Sequence, residues 1–133
     1  NQKYLNFILN TFKNKKIVLM HAISSYPTHF TDINLGILKN YVKYNEKNKN
    51  IIPGYSSHDI GEIGSMLAVA CGAKVIEKHV KIGTTDWMHY DDTAVDAKLE
   101  FRTFINSLNK VYAAIGSSDK KVYKFENHKY RMK

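Results

Sequence analysis

The chain alternates between short segments predicted as strands and segments whose apolar residues recur every three or four positions. Residues 17–23 are a continuous apolar run, as expected for a strand buried on both faces of a sheet. Residues 51–56 and 74–80 are also predicted as short strands. The segments with helical spacing cover residues 4–12, 34–44, 60–71 and 97–115. Gly72 and Gly116 are placed to end the last two helices. The pattern therefore predicts one helix followed by three strand–helix units.

This order predicts an α/β fold in which three parallel strands alternate with crossover helices. The pattern alone does not distinguish a flat doubly wound sheet from a closed barrel. The chain has 133 residues, which suits one domain, whereas a complete (β/α)8 barrel needs roughly 200 residues or more. If the fold is a barrel, further strands must complete it. A part of a barrel exposes apolar edges, so we expect it to associate or to be unstable alone.

Composition favours a packed domain, because 44% of the residues are hydrophobic and 24% are charged. The formal net charge is +8, and it points to nucleic acid or a phosphorylated substrate as possible partners. Lysines cluster in residues 13–16, 39–49 and 120–133, which we interpret as loops, helix faces and a tail. We therefore expect a domain at residues 1–116, a basic tail or linker at residues 117–133, and no nucleic-acid partner.

Membrane and secretion signals are not predicted. No apolar run approaches the roughly 18 residues that a membrane span needs, and no signal peptide is recognised near the first residues. Cys71 is the single cysteine, so an internal disulfide is excluded. These features predict a cytoplasmic protein without a membrane partner.

Polar side chains follow all three predicted strands, at the ends where parallel α/β folds bind their ligands. His58 and His79 are 79 − 58 = 21 residues apart, which is about one helix-plus-strand unit. If their strands are neighbours, they lie about 4.8 Å apart, and both imidazoles could bind one ion while leaving positions open for water and substrate. The alternative is two unrelated histidines at strand ends.

Side-chain parity extends this candidate site. Ser56 has the parity of His58, so both could face one cavity. Glu77 has the parity of His79, and we expect it to orient that histidine or accept a hydrogen bond, or else to be a buried acid paired with a neighbouring lysine. His21 is expected to make a structural hydrogen bond. The loop at residues 87–92 is expected to form a wall of the site, or else an ordinary loop before the last helix.

Three segments at these strand ends resemble the sialic acid (N-acetylneuraminate) synthase family. Residues 21–35, HAISSYPTHFTDINL, resemble its His-x-x-Ser/Asn-x-Tyr-Pro-Thr/Ala segment followed by Asp-x-Asn-Leu. Residues 54–58, GYSSH, resemble its Gly-Tyr-Ser-Asp-His. Residues 68–80, AVACGAKVIEKHV, resemble its Ala-Val-Ala-Leu-Gly-Ala-x-x-Ile-Glu-Lys-His-Phe. The order of the segments and the spacing of the two histidines also match the family, and the resemblance covers residues 17–116.

The resemblance implies the C-terminal part of a (β/α)8 TIM barrel. Enzymes of this family condense phosphoenolpyruvate with an N-acylated amino sugar, release phosphate, and use a divalent metal, usually Mn²⁺ or Mg²⁺. They are typically homodimers with an antifreeze-like C-terminal domain. The part represented by this chain would be inactive alone. The alternatives are a barrel fragment that binds a sugar phosphate without catalysis, and a basic nucleic-acid-binding module.

The resemblance also assigns roles to residues of this chain. It implies metal ligands at His58 and His79, a phosphate contact at Ser56, and contacts to the sugar at Ser24 and Tyr26. The catalytic candidates are Asp91 and Glu77.

The chain departs from the family pattern at two places. The loop at residues 87–92 reads WMHYDD where the family commonly has Pro-Gly-Pro-Asp-His, which suits the branch that makes surface polysaccharide precursors. The family aspartate then maps to Asp91 or, less well, to Asp92, which could instead cap the long helix. Ser57 replaces the aspartate that the family usually has.

Overall fold

The computed structural model describes residues 2–83 and 91–126, and for Asp91 it describes the backbone alone. The helices are α1 (Gln2–Thr11), α2 (Leu38–Lys47), α3 (Ile63–Ala70) and α4 (Phe101–Ile115). The strands are β1 (Ile17–Ala22), β2 (Ile51–Ser57), β3 (Val75–Lys78), β4 (Val80–Lys81) and β5 (Val95–Asp96). Short 3-10 turns lie at Leu35–Ile37 and Asp91–Thr93.

The strands β1, β2 and β3 form a parallel sheet in that order, with helices between them. Ala22 lies opposite Ser56, and Ser57 lies opposite Lys78. The predicted alternation of parallel strands and helices is therefore confirmed. The third predicted strand, residues 74–80, is interrupted at His79, and its second piece pairs in parallel with β5. We did not predict β5, because two residues are too short to show an alternating pattern.

Two helices begin later than their apolar periodicity indicated. The helix predicted at residues 34–44 starts with a 3-10 turn, becomes α-helical at Leu38 and continues to Lys47. Its last turns contain Asn45, which is buried. The buried side-chain amide of Asn45 donates to the main-chain oxygen of Ile51 at 2.8 Å. The helix predicted from residue 60 starts at Ile63. Gly72 ends that helix with a φ of +100°, as predicted.

The long helix begins later than predicted, and a different aspartate accepts the main-chain N–H groups before it. After a turn at residues 97–100, α4 begins at Phe101. The Asp96 carboxylate accepts the main-chain N–H groups of Lys98 at 2.7 Å and Leu99 at 2.9 Å, and these bonds lower the pKa of Asp96. Glu100 in turn accepts the N–H of Asp96 at 3.0 Å. Asp92 is exposed in the preceding 3-10 turn, so it is not the cap.

The core lies between the sheet and the helices on one side of it. Its buried apolar residues are Ile33, Leu38, Tyr55, Ala68 and Ala73. Large apolar side chains nevertheless remain exposed on strands and helices, among them Val18, Leu67, Val80 and Ile105. This surface agrees with the expected apolar edges, and association remains a prediction. None of the helices in the described ranges is long and apolar enough to cross a membrane.

The boundary between a domain and a tail at residue 116 remains a prediction. Gly116 follows the last residue of α4 with a φ of 57°. Residues 117–126 contain no helix or strand, and most of them are exposed. The remaining part of the predicted tail, residues 127–133, lies outside the described residues.

Candidate functional site

The two faces of the sheet carry different sets of side chains at the ends of β2 and β3. Ser56 lies opposite Glu77 on one face, and Ser57 lies opposite Lys78 on the other. His58 follows β2 directly and His79 follows β3 directly, and their ring centroids are 5.6 Å apart. The register of neighbouring parallel strands therefore brings the two predicted metal ligands together.

His58 has a defined tautomer in this arrangement. Its Nδ1 lies 2.6 Å from the main-chain oxygen of Ile23, and a carbonyl oxygen can only accept, so Nδ1 carries the proton. The lone pair is consequently on Nε2, which lies 3.2 Å from the Tyr26 hydroxyl and 3.3 Å from Ser56 Oγ. The side chain is 7% exposed. Nε2 therefore accepts a hydrogen bond from the Tyr26 hydroxyl in this structure, and the same lone pair is a suitable metal ligand.

The loop after β1 places Tyr26 against both histidines. The Tyr26 ring centroid is 4.3 Å from that of His58 and 5.6 Å from that of His79. Thr28 fixes this loop to the end of β2, because its N–H donates to the main-chain oxygen of His58 at 2.8 Å. Ser24 is exposed in the same loop. The loop thus places Tyr26 beside the histidine pair, and the contacts of Ser24 and Tyr26 with a sugar remain a prediction.

Ser56 and Glu77 form a hydrogen-bonded pair next to the histidines. Ser56 Oγ donates to Glu77 Oε1 at 2.5 Å. Ser56 is buried, whereas Glu77 is exposed. The interpretation of Glu77 as a buried acid is therefore wrong, whereas the expectation that it accepts a hydrogen bond agrees with the bond from Ser56. The pair places a hydroxyl 3.3 Å from His58 Nε2 and a carboxylate directly behind that hydroxyl.

His21 has the structural role expected of it. Its Nε2 donates to the main-chain oxygen of Ile33 at 2.7 Å, because that oxygen can only accept. Its ring stacks on Tyr55 with a centroid separation of 6.2 Å. His21 lies opposite Tyr55 in the sheet, on the face that packs against the core. It is therefore separated from the other two histidines by the sheet itself.

The histidine pair fits a divalent metal in part. Two imidazoles on one ion, each about 2.1 Å from it, have ring centroids roughly 4.5–6.5 Å apart, and the observed 5.6 Å lies in that interval. The hydrogen bond from His58 Nδ1 to a carbonyl is the outer contact that metal-bound histidines commonly make. Among the residues that the structure describes, no group of three potential ligands is found. Water, substrate or further residues would have to complete the coordination.

A buried polar network occupies the opposite face of the same strand ends, and sequence reasoning missed it. Asp59 is fully buried, and its Oδ1 accepts the hydroxyls of Tyr55 at 2.9 Å and Ser57 at 2.7 Å. Its Oδ2 accepts the Gly64 N–H at 3.2 Å, at the start of α3. The ammonium of Lys78 donates to Ser57 Oγ at 2.9 Å and to the main-chain oxygen of Asp59 at 2.6 Å.

Burial changes the acidity of two members of this network. It lowers the pKa of Lys78, while the nearby Asp59 charge acts in the opposite direction. It also raises the pKa of Tyr55 far above its usual range, and the hydrogen bond to Asp59 adds to that effect. The signal in the sequence was the parity of Tyr55, Ser57 and Asp59, together with the 78 − 57 = 21 residues between Ser57 and Lys78.

The expectations for the loop at residues 87–92 fall mostly outside the described residues. For Asp91 the structure gives only a backbone position at the start of a 3-10 turn. The assignment of the family aspartate to Asp91 therefore remains a prediction.

Comparison with known proteins identifies a family. A sequence model described as the NeuB family matches residues 2–120. The chain is 33% identical over 116 residues to the pseudaminic acid synthase of Campylobacter jejuni, covering 84% of the chain and 32% of that protein. It is 33% identical over 109 residues to the human N-acetylneuraminate-9-phosphate synthase, covering 82% and 29%. The chain thus spans about three tenths of the length of these relatives.

A solved structure gives the same result for the fold. The N-acetylneuraminic acid (sialic acid) synthetase of Leptospira borgpetersenii superposes with a TM-score of 0.75 at 26% identity. The match covers 93% of this chain and 42% of that one. The predicted fold class, part of a (β/α)8 barrel, is confirmed.

Proposed function

Because the chain belongs to the NeuB family, we propose that it supplies part of the active site of a nonulosonic acid synthase. The reaction condenses phosphoenolpyruvate with an N-acylated amino sugar and releases phosphate. The observation that carries this proposal is the pairing of His58 and His79 on neighbouring strand ends, with rings 5.6 Å apart beneath Tyr26. The names of the relatives, which are synthases of such acids, support the same reaction.

His58 and His79 would hold the divalent metal, Mn²⁺ or Mg²⁺. When bound, such an ion supplies Lewis-acid polarisation of the sugar carbonyl. The contribution of the chain is to present imidazole nitrogens in a fixed orientation. For His58 this orientation follows from the bond between Nδ1 and the main-chain oxygen of Ile23, which leaves the lone pair on Nε2, directed toward Tyr26 and Ser56.

Tyr26, Ser24 and Ser56 would bind the two substrates. The Tyr26 hydroxyl is within 3.2 Å of His58 Nε2, so a hydroxyl group of a sugar seated at the histidines would meet it. The exposed Ser24 lies two residues earlier in the same loop. Ser56 would contact the phosphate, for which its hydroxyl must turn away from Glu77.

Glu77 and Asp91 would be the groups that accept or deliver protons. Glu77 accepts a hydrogen bond from the Ser56 hydroxyl at 2.5 Å. As an exposed carboxylate beside the histidines, it would act as a base toward water or a substrate hydroxyl. Asp91 would act on the sugar from the loop after the last long strand. We further propose a cytoplasmic homodimer as the working form of the full-length protein.

Release of inorganic phosphate tests the proposal. The full-length protein is incubated with phosphoenolpyruvate, Mn²⁺ and N-acetylmannosamine or a related amino sugar. We expect phosphate release that requires both substrates and is abolished by His58→Ala and by His79→Ala. His29→Ala is the matched control, because His29 is exposed in a polar loop and should leave the rate unchanged.

The same assay separates the alternatives. A barrel that binds a sugar phosphate without catalysis would release no phosphate from phosphoenolpyruvate. A nucleic-acid-binding module would show DNA binding that weakens steeply with salt. Either result would contradict the proposed synthase.

A further inference from the structure

The buried network behind the histidines is joined to both of the strand ends that carry them. In the sequence, Ser57 lies between Ser56 and His58, and Asp59 follows His58 directly. Lys78 lies between Glu77 and His79. Ser57, Asp59 and Lys78 are thus each adjacent in sequence to a residue on the face that carries the histidines. A displacement of the backbone at one of these three residues therefore also displaces the adjacent residue on the other face of the sheet.

Lys78 is the link between the two strand ends. Lys78 lies on β3, and its ammonium donates to Ser57 Oγ on the neighbouring strand β2 at 2.9 Å. It also donates to the main-chain oxygen of Asp59 at 2.6 Å, one residue beyond His58. Regular pairing of β2 with β3 ends at Ser57 and Lys78. The bond from Lys78 to Asp59 therefore extends the connection between the strands past the last paired residues, to a position beyond His58.

The hydrogen bonds of the network are made by a buried carboxylate and a partly buried ammonium. Asp59 is fully buried and accepts three hydrogen bonds, from Tyr55, Ser57 and Gly64. Buried charges of this kind are tolerated only when they are hydrogen-bonded and compensated. The positive charge of Lys78 compensates Asp59 from the neighbouring strand. Removal of either charge would leave the other uncompensated.

We propose that Lys78, acting through Ser57 and Asp59, is a positioning residue that fixes the separation and orientation of His58 and His79. The inference rests on the proposed function, since it assumes that these histidines hold a metal. Lys78 does not touch the ion or a substrate. It acts from the opposite face of the sheet by holding the backbone on either side of His58 against β3.

The test measures Mn²⁺ affinity by calorimetry in the full-length protein, without substrates, together with the urea midpoint of unfolding. Lys78→Met keeps the length of the side chain and removes both hydrogen bonds. We expect it to weaken Mn²⁺ binding by about tenfold or more, as changes behind metal ligands commonly do. Lys78→Arg keeps a charged donor and should restore most of the affinity. Ser57→Ala removes one of the two bonds and should weaken binding less.

Asn45→Ala is the matched control. Asn45 also makes a buried hydrogen bond to β2, at 2.8 Å to Ile51, but at the opposite end of that strand. It should lower the urea midpoint and leave Mn²⁺ affinity unchanged. If the role of Lys78 were merely structural, Lys78→Met would lower the urea midpoint and leave Mn²⁺ affinity unchanged, as expected for Asn45→Ala.

Three results would overturn the inference. The first is Mn²⁺ affinity within twofold of wild type in Lys78→Met or, if that variant does not fold, an unchanged affinity in Ser57→Ala. The second is an equal loss of affinity in Asn45→Ala. The third is a wild-type protein that binds no Mn²⁺, which would remove the proposed metal site as well. Wild-type binding that His58→Ala abolishes and Lys78→Met leaves intact would refute the inference alone.

Discussion

Replacing Gly64 by alanine is expected to destabilise the protein through Asp59. A Cβ atom at position 64 would lie within 2.6 Å of both carboxylate oxygens of Asp59, which is closer than atoms can approach. The carboxylate cannot move freely, because Tyr55, Ser57 and the Gly64 N–H all donate to it. The substitution must therefore shift the first turn of α3 or break bonds to a buried charge.

The relative sizes of two opposing effects decide the sign of the change in stability. Alanine in place of glycine in a helix stabilises it by at most about 1 kcal/mol. Against this, overpacking costs about 1–3 kcal/mol, and each lost hydrogen bond to a charged group costs about 1.5–3 kcal/mol. The net loss should be about 3 kcal/mol, which lowers Tm by roughly 6–12 °C in a domain of about 150–250 residues.

Thermal unfolding followed by circular dichroism measures this shift, and Gly36→Ala is the control. Gly36 has no atom within 4 Å of a Cβ built at its position, and it lies in a 3-10 turn at Leu35–Ile37. Its substitution should leave Tm unchanged or raise it slightly. A Gly64→Ala protein that is as stable as Gly36→Ala would refute the packing of Asp59 against α3.

Three further predictions concern single side chains. Tyr26→Phe removes the hydroxyl at 3.2 Å from His58 Nε2, and steady-state kinetics should show a higher KM for the amino sugar with Mn²⁺ affinity retained; weaker Mn²⁺ binding would contradict this. The N–H groups of Leu99 and Lys98 lower the pKa of Asp96, so its charge stabilises the fold above the ordinary pKa of about 3.9. The advantage of wild type over Asp96→Asn in urea unfolding should therefore shrink as pH falls below about 4, and a constant difference would be inconsistent with it. Asp91→Asn should lower kcat strongly with phosphoenolpyruvate binding intact, whereas the exposed Asp92 should tolerate the same change; the reverse would move the loop alignment by one residue.

The sequence predicted those features that depend on one local pattern. The apolar run at residues 17–23 indicated β1, because a strand buried on both faces has few polar positions, and the alternation with helical segments indicated β2 and β3. The spacing of His58 and His79 predicted their proximity, because one crossover unit returns the chain to a neighbouring parallel strand. Gly72 predicted the end of α3 because its φ of +100° is a conformation that other residues avoid.

Features that depend on tertiary contacts were missed or mistaken. Asp96, rather than Asp92, caps the region before α4, and two residues of β5 carry no periodicity of their own. The buried network around Asp59 was missed although parity and spacing pointed to it, because its bonds join side chains and main chain of β2 and β3 that meet only in the folded sheet. Glu77 accepts its hydrogen bond from Ser56 on the neighbouring strand.

The proposed metal site is tested most directly by pulsed electron paramagnetic resonance on the full-length protein loaded with Mn²⁺. Protein labelled with ¹⁵N-histidine should show coupling of the ion to two imidazole nitrogens. His58→Ala and His79→Ala should each remove one coupling, and His29→Ala should remove none. A Mn²⁺ signal without nitrogen coupling in the wild-type protein, or one that both variants leave unchanged, would contradict the assignment of these two histidines.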